Sequence, residues 1–283
     1  MYPSLTEVLL ESEVEEMKKI LIMTIGMWCL ASCAQQADDV PRLLEVSAEI
    51  APQTVTRTTG ATAGASDYDK LTFDDTDEIL IRKNSGAEVT YKKGNSTWLP
   101  KDAANPLVTS NTGDVFTASY PTVFTGILQG QNSYSGFWKS RQLTSTGVLT
   151  GNKVTFSFTP AVAKISVVVS YGDGQGSVTA SVAGNAIRGG SGDETINLLQ
   201  TDVSSNQKRY SFAGIIAPGN RTYTITLIAN VDGTKSYKQD VSLTMKAGYN
   251  YQYTFTSTSE LILTGVTVLR FSDPIEEDSG SAT

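Results

Sequence analysis

Cysteine and histidine supply most of the nucleophilic and metal-binding chemistry open to a protein, and this 283-residue chain has two cysteines and no histidine. The missing imidazole removes Ser-His-Asp and Cys-His catalysis and His-bearing zinc sites together. Hard-oxygen chemistry has one candidate, Asp74-Asp75-Thr76-Asp77-Glu78, whose carboxylates could ligate calcium. It lacks the glycine and the distal glutamate of an EF-hand, and reads better as an acidic turn ahead of a strand. Gly172-Asp173-Gly174-Gln175-Gly176 suggests a phosphate loop, but no helix follows it, so it reads as a turn between strands. Gly233-Thr234-Lys235-Ser236 carries the end of a Walker motif without its first glycine, and leads into a strand. No acidic pair stands out for glycoside hydrolysis. The expectation is a protein without catalysis, cofactor or resident metal.

The remaining chemistry is at Cys33. Lys18 and Lys19 precede an apolar stretch, Ile20 to Leu30, that is too short to span a bilayer, which takes roughly 20 residues. A basic start, a short apolar centre and small residues before the cut describe a secretory signal. Leu30-Ala31-Ser32-Cys33 resembles a lipobox, in which the thiol is acylated and becomes the mature N-terminus. Glu7, Glu11, Glu13, Glu15 and Glu16 place negative charge where a signal needs positive charge. Translation is therefore expected to start at Met17, with residues 1–16 a mis-assigned leader and 17–32 the signal peptide. Loss of residues 1–32 takes two lysines and five glutamates, moving the net charge from −7 to −4. That balance offers no footprint for nucleic acid and no basic patch for anionic lipid. Cys29 would leave with the signal, so no disulfide is expected in a compartment that would permit one.

Behind Cys33, residues 33–45 form a polar tether, and from there the chain is strand grammar: Val, Ile, Thr, Tyr and Phe alternate with polar residues, punctuated by Gly, Asn, Asp and Ser. No later segment shows a 3.6-residue apolar period. The clearest element runs from Ser236 to Thr256. Tyr237, Val241, Leu243, Met245, Ala247, Tyr249, Tyr251, Tyr253 and Phe255 share one parity, which predicts an apolar face. Lys238, Asp240, Ser242, Thr244, Asn250, Gln252 and Thr254 share the other, predicting a wet face, and Gly248 predicts a turn dividing two strands. Further strands are expected at Glu45–Ile50, Glu78–Ile81, Glu88–Tyr91, Val115–Ser119, Val154–Phe158, Ile165–Ser170, Ser177–Val182, Tyr210–Phe212, Tyr223–Ala229 and Leu261–Leu269. Loops are expected at Thr54–Ser66 and Pro121–Trp138. Many short strands with turn signals predict an all-β sandwich protein, and Pro160 predicts a boundary between an N-terminal domain, 46–160, and a C-terminal domain, 161–271. Residues 272–283 form an acidic tail expected to be disordered.

Several short motifs, in order, resemble the fimbrillin family of Bacteroidales, the subunits of protease-assembled pili and their relatives. They are Phe73-Asp74-Asp75-Thr76-Asp77-Glu78-Ile79, Phe116-Thr117-Ala118-Ser119-Tyr120-Pro121, Val154 to Val169, Ile216-Ala217-Pro218, Ala247-Gly248-Tyr249-Asn250-Tyr251-Gln252-Tyr253 and Ile262 to Phe271. Pro160 stands near where relatives often carry histidine. The resemblance implies two transthyretin-like β-sandwich domains in tandem with Greek-key-type connections. It also implies a surface role in fimbriae serving adhesion, an outer-membrane lipid anchor and other fimbrial subunits as partners. In polymerising relatives an Arg-specific protease cuts after the first strand, which leaves a groove for a strand of the next subunit. Here Val46, Ala48 and Ile50 are the candidate leaving strand and Arg57 the candidate cleavage site, the alternative being a plain loop arginine. Leu261, Leu263, Val266, Val268 and Leu269 are the candidate donor strand, the alternative being a permanent strand of its own domain.

Two other readings stay open. One is a monomeric lipoprotein that anchors a fimbria, needing no cut at Arg57. The other is a module binding host or bacterial glycan or protein, suggested by Trp98, Tyr120, Tyr134, Phe137 and Trp138.

Overall fold

A computed structural model describes residues 40–51, 72–84, 86, 88–110, 113–230, 234–257 and 260–270. Cys33, Arg57, the loop Thr54–Ser66 and the acidic tail lie outside the described residues. What is described is nearly all strand, as the alternating sequence predicts.

The first half contains β1 (Arg42–Leu43), β2 (Glu45–Ile50), β3 (Glu78–Lys83), β4 (Glu88–Gly94), β5 (Thr97–Pro100), β6 (Val108–Thr109), β7 (Phe116–Tyr120), β8 (Leu143–Thr146), β9 (Val148–Thr150) and β10 (Lys153–Pro160). Its main sheet runs β2-β5-β4-β3-β7-β8-β10-β9, and β2 also pairs with β10, so the sheet closes on itself. The pattern of β10 shows why this works. Val154, Phe156 and Phe158 point inward and are fully buried, while Thr155, Ser157 and Thr159 face out. Phe73 fills the middle, with Trp98, Tyr120 and Phe158 edge-on to it at 5.2, 5.4 and 5.3 Å. Edge-to-face geometry sets the positive rim of one ring against the negative face of the next.

The second half contains β11 (Ala163–Tyr171), β12 (Ser177–Asn185), β13 (Asp193–Asn197), β14 (Leu199–Val203), β15 (Arg209–Ile216), β16 (Gly219–Asn230), β17 (Thr234–Met245), β18 (Tyr249–Ser257) and β19 (Leu261–Arg270). They make two sheets, β14-β15-β11-β18-β19 and β13-β12-β16-β17, with a separate hydrophobic core between them. Gly248 turns the chain between β17 and β18 at φ +80°, a conformation that costs glycine little.

Three expectations need correction. Alternation predicts a wet face for Asn250 and Gln252, yet both are buried. Their strand lies beside β11, and on that same side Lys164 and Ser166 are also buried, with Ser166 Oγ donating to Asn250 Oδ1 at 2.8 Å. Alternation reports two faces, and here both are closed. Conversely, Ala247 and Tyr249 share the parity of the apolar row but are exposed, because they sit at the turn where the row is interrupted. Finally, the loop Pro121–Trp138 holds a short helix, α1 (Tyr134–Lys139), too brief to show a period. Among the described residues no helix is long and apolar enough to cross a membrane.

Candidate assembly site: the closing strand and the terminal edge strand

The closing strand β2 lies parallel to β10, with Val46 opposite Val154, Ala48 opposite Phe156 and Ile50 opposite Phe158. Ile50 is buried, and Val46 and Ala48 are half-buried against the first core. Both ends are tied: Glu45 N donates to Asn152 O at 2.9 Å, and Ala51 N donates to Phe158 O at 2.9 Å. On its other side β2 pairs with β5 only at Val46–Trp98. It is thus joined firmly along one edge and thinly along the other. Its departure would open the ring, leaving β10 with an unpaired backbone edge beside an apolar row.

The terminal strand β19 pairs antiparallel with β18 along its whole length, and no other described strand pairs with its outer edge. A bulge near Gly265 shifts the register. Leu261 and Leu263 pack against the second core, whereas Val266 and Val268 are 48% and 51% exposed although they stand opposite the buried Tyr253 and Tyr251. Residues opposite one another share a face, so these valines line the core-facing side where the facing sheet does not reach. Leu269 is on the other face, half-buried and opposite Asn250.

The aromatic set separates. Trp98 is buried in the first core and Phe137 in the second. Tyr120 is half-buried, precedes a cis bond to Pro121, and donates its hydroxyl to Asp77 Oδ1 at 3.0 Å. Tyr134 is exposed and stands edge-on to Trp138 at 5.9 Å, and the Arg141 guanidinium lies 5.3 Å over the Trp138 ring. The acidic run is a turn: Asp77 Oδ2 accepts from Asp74 N at 2.6 Å, Asp75 pairs with Lys93 at 3.0 Å and Glu78 with Lys101 at 2.9 Å. Among the described residues no group of three His, Cys, Asp or Glu side chains is placed to hold a metal ion.

Two features gave no sequence signal. Asp114 accepts from Thr109 Oγ1 at 3.0 Å and pairs with Lys83 at 2.8 Å. Desolvation pushes its pKa up, but Lys83, Thr109, Ser110 N–H and Asn84 together outweigh this and hold the carboxyl down at about 2. The second feature is Gln131, fully buried, whose side chain acts as a piece of strand. Its Nε2 donates to Ile215 O at 2.9 Å and its Oε1 accepts from Ile215 N at 2.7 Å, beyond the end of β14. Asn197 N donates to Gln129 O at 2.8 Å, Arg188 Nε donates to Ile127 O at 2.8 Å, and Ile127 and Phe137 sit in the second core. The loop between β7 and β8 is therefore built into the second half. Gly136 permits its tight fold, since a Cβ there would lie 2.0 Å from Gly130 O.

No family model matches the sequence, and no curated protein matches it. Solved structures do. A candidate cell adhesion protein from Bacteroides ovatus superposes with a TM-score of 0.55 at 14% identity, covering 84% of this chain and 100% of that one. A candidate cell adhesion protein from Bacteroides uniformis gives 0.47 at 16% identity, covering 82% and 99%. A fimbrial protein from Bacteroides ovatus gives 0.46 at 16% identity, covering 78% of this chain and 50% of that one. The chain shares its all-β fold with the first of these.

Proposed function

We propose that this chain is a subunit or accessory component of a cell-surface fimbria, exported as an outer-membrane lipoprotein through Cys33 and assembled by proteolysis-triggered strand exchange. The observation that carries the reading is the closure of the first sheet by β2. That strand is a separable piece: six residues, apolar on one side, paired along β10 and paired with β5 at one position. Arg57 follows Ile50 by seven positions, so a cut there would release β2 together with the Cys33 anchor. An incoming strand would repeat the backbone bonds along β10 and set its own apolar residues against the same core. While β2 stays in place the groove is filled and the subunit is held monomeric in transit. The fimbrillin-like motif series and the fold shared with a candidate cell adhesion protein agree with this role.

A second reading has its own support. Nine of the ten residues of β19 pair with β18 in its own sheet, which suits a strand that never leaves, and a non-polymerising anchor or accessory subunit would look like this. Limited trypsin treatment of the purified wild type beside Arg57→Ala, followed by sizing, separates the two. The fimbrial-polymer reading expects the wild type to lose an N-terminal fragment and form multimers, alone or with sibling subunits, and the variant to do neither. Release of the strand without any multimer overturns it in favour of the accessory role. Metabolic labelling with a clickable fatty acid tests the anchor independently, and labelling that survives Cys33→Ala overturns it.

A further inference from the structure

The outer face of the first sheet carries a local depression lined mostly by serines and threonines. A trough of about 430 Å³ crosses β3, β7, β8 and β10, within the roughly 300–1,000 Å³ typical of small-ligand sites. Pairing register sets its floor: Leu80 stands opposite Ser119, Ser119 opposite Thr144, and Thr144 opposite Thr159. In the next row Arg82 stands opposite Thr117, and Thr117 opposite Thr146. Side chains opposite one another share a face, so five hydroxyls form a grid about 4.8 Å apart across strands and about 7 Å apart along them. None of the five makes a hydrogen bond to another described side chain or backbone group. The only ionisable groups lining the trough, Arg82 and Glu88, satisfy each other, with Arg82 Nε donating to Glu88 Oε1 at 2.8 Å.

We propose that this trough is a binding site for a neutral oligosaccharide. Each hydroxyl both donates and accepts, which matches a ligand that presents many hydroxyls of either sense. The half-buried Leu80 gives the C–H face of a sugar ring an apolar contact in the middle of the floor. The pairing of Arg82 with Glu88 leaves the lining without a net charge that would favour a sialylated, sulfated or phosphorylated ligand. A peptide is disfavoured because β3, β7 and β8 are each paired on both edges and have no ladder left to extend. Neither Tyr134 nor Trp138, the aromatic pair to which sequence reasoning points, lines this site, and it needs neither cleavage nor assembly.

The test uses the full purified, uncleaved chain on immobilised neutral oligosaccharides of gluco, galacto, manno and xylo type, alongside sialylated and sulfated counterparts. Titration calorimetry then follows on any neutral member that is retained. The wild type should bind at least one neutral member. The double variant Ser119→Ala/Thr144→Val should lose at least tenfold in affinity with an unchanged melting temperature, and Tyr134→Ala should bind as the wild type does. Retention of charged glycans alone, no retention of neutral ones, binding that survives the double variant, or binding abolished by Tyr134→Ala overturns the proposal. Multimer formation is not read in this experiment, so failure of the assembly reading would leave its result standing.

Discussion

The two halves of this molecule bury similar residues but close their edges differently. In the first, one sheet curls until β2 meets β10, and a six-residue strand completes the ring. In the second, two separate sheets face each other across a larger core, and long neighbours such as β16 and β17 pair over twelve residues without closure. A ring has no free edge, but its integrity depends on its most weakly paired strand. A sandwich keeps exposed edges, here at β19, but removal of one edge strand leaves most of the core covered. Under the assembly proposed above, the first half would be the one to change partners and the second the one to stay folded while it does so.

The largest expected effect that tests this contrast is in the ring. Phe156→Ala removes a fully buried ring opposite Ala48. It should cost about 3–5 kcal/mol in unfolding experiments. Hydrogen exchange should rise along β2 and β10 while β16 and β17 stay protected. Equal rises in both halves would mean that they unfold as one unit and that the contrast is wrong.

A smaller effect is expected where the halves meet. Gln131→Leu keeps the bulk but leaves the backbone N–H and C=O of Ile215 without their side-chain partners. The cost should be about 1–3 kcal/mol. Proteolysis should become faster in the loop between β7 and β8, and the total destabilisation of the double variant Phe156→Ala/Gln131→Leu should fall short of the sum of the two single effects if Gln131 couples the halves. Full additivity would show that it does not.

The smallest effects come from pH, and they differ in sign between the halves. Asp114 in the first half has a folded pKa held down at about 2, below its ordinary 3.8. Its contribution is present above the unfolded value and is lost as pH falls from about 4 toward 2. Tyr171, Tyr223 and Tyr253 in the second half are raised above 10.0, first by burial. Their contribution is present below the unfolded value and is lost as pH rises beyond it. Melting curves should therefore show Asp114→Asn flattening the acid limb and Tyr171→Phe flattening the alkaline one. An acid limb unchanged by Asp114→Asn would remove that clamp from the account.

Much of the strand pattern was legible. The parity of Val154, Phe156 and Phe158, and of Tyr251, Tyr253 and Phe255, predicts their burial because side chains alternate along any extended chain. Gly248 marks its turn for an equally local reason. The candidate site was only half legible. The alternation of Val46, Ala48 and Ile50 marks a strand, but nothing in it says that the strand closes a ring. Tyr134 and Trp138 stand out in the sequence as aromatics, whereas the hydroxyl trough is lined mostly by serines and threonines of a kind that any exposed strand face could carry.

The sequence by itself determined that this chain extends rather than coils, where most of its turns fall and that no imidazole is present, because periodicity, glycine placement and residue inventory are local properties. Only the tertiary structure decided that β2 is held between β10 and β5, that Gln131 serves as a piece of strand for Ile215, and that Asn250 and Gln252 are shut away beside Lys164 and Ser166. Those outcomes depend on which distant segment arrives next to a given face or edge. Alternation fixes that a strand has two faces and two edges, and leaves their partners to contacts between residues far apart in the chain.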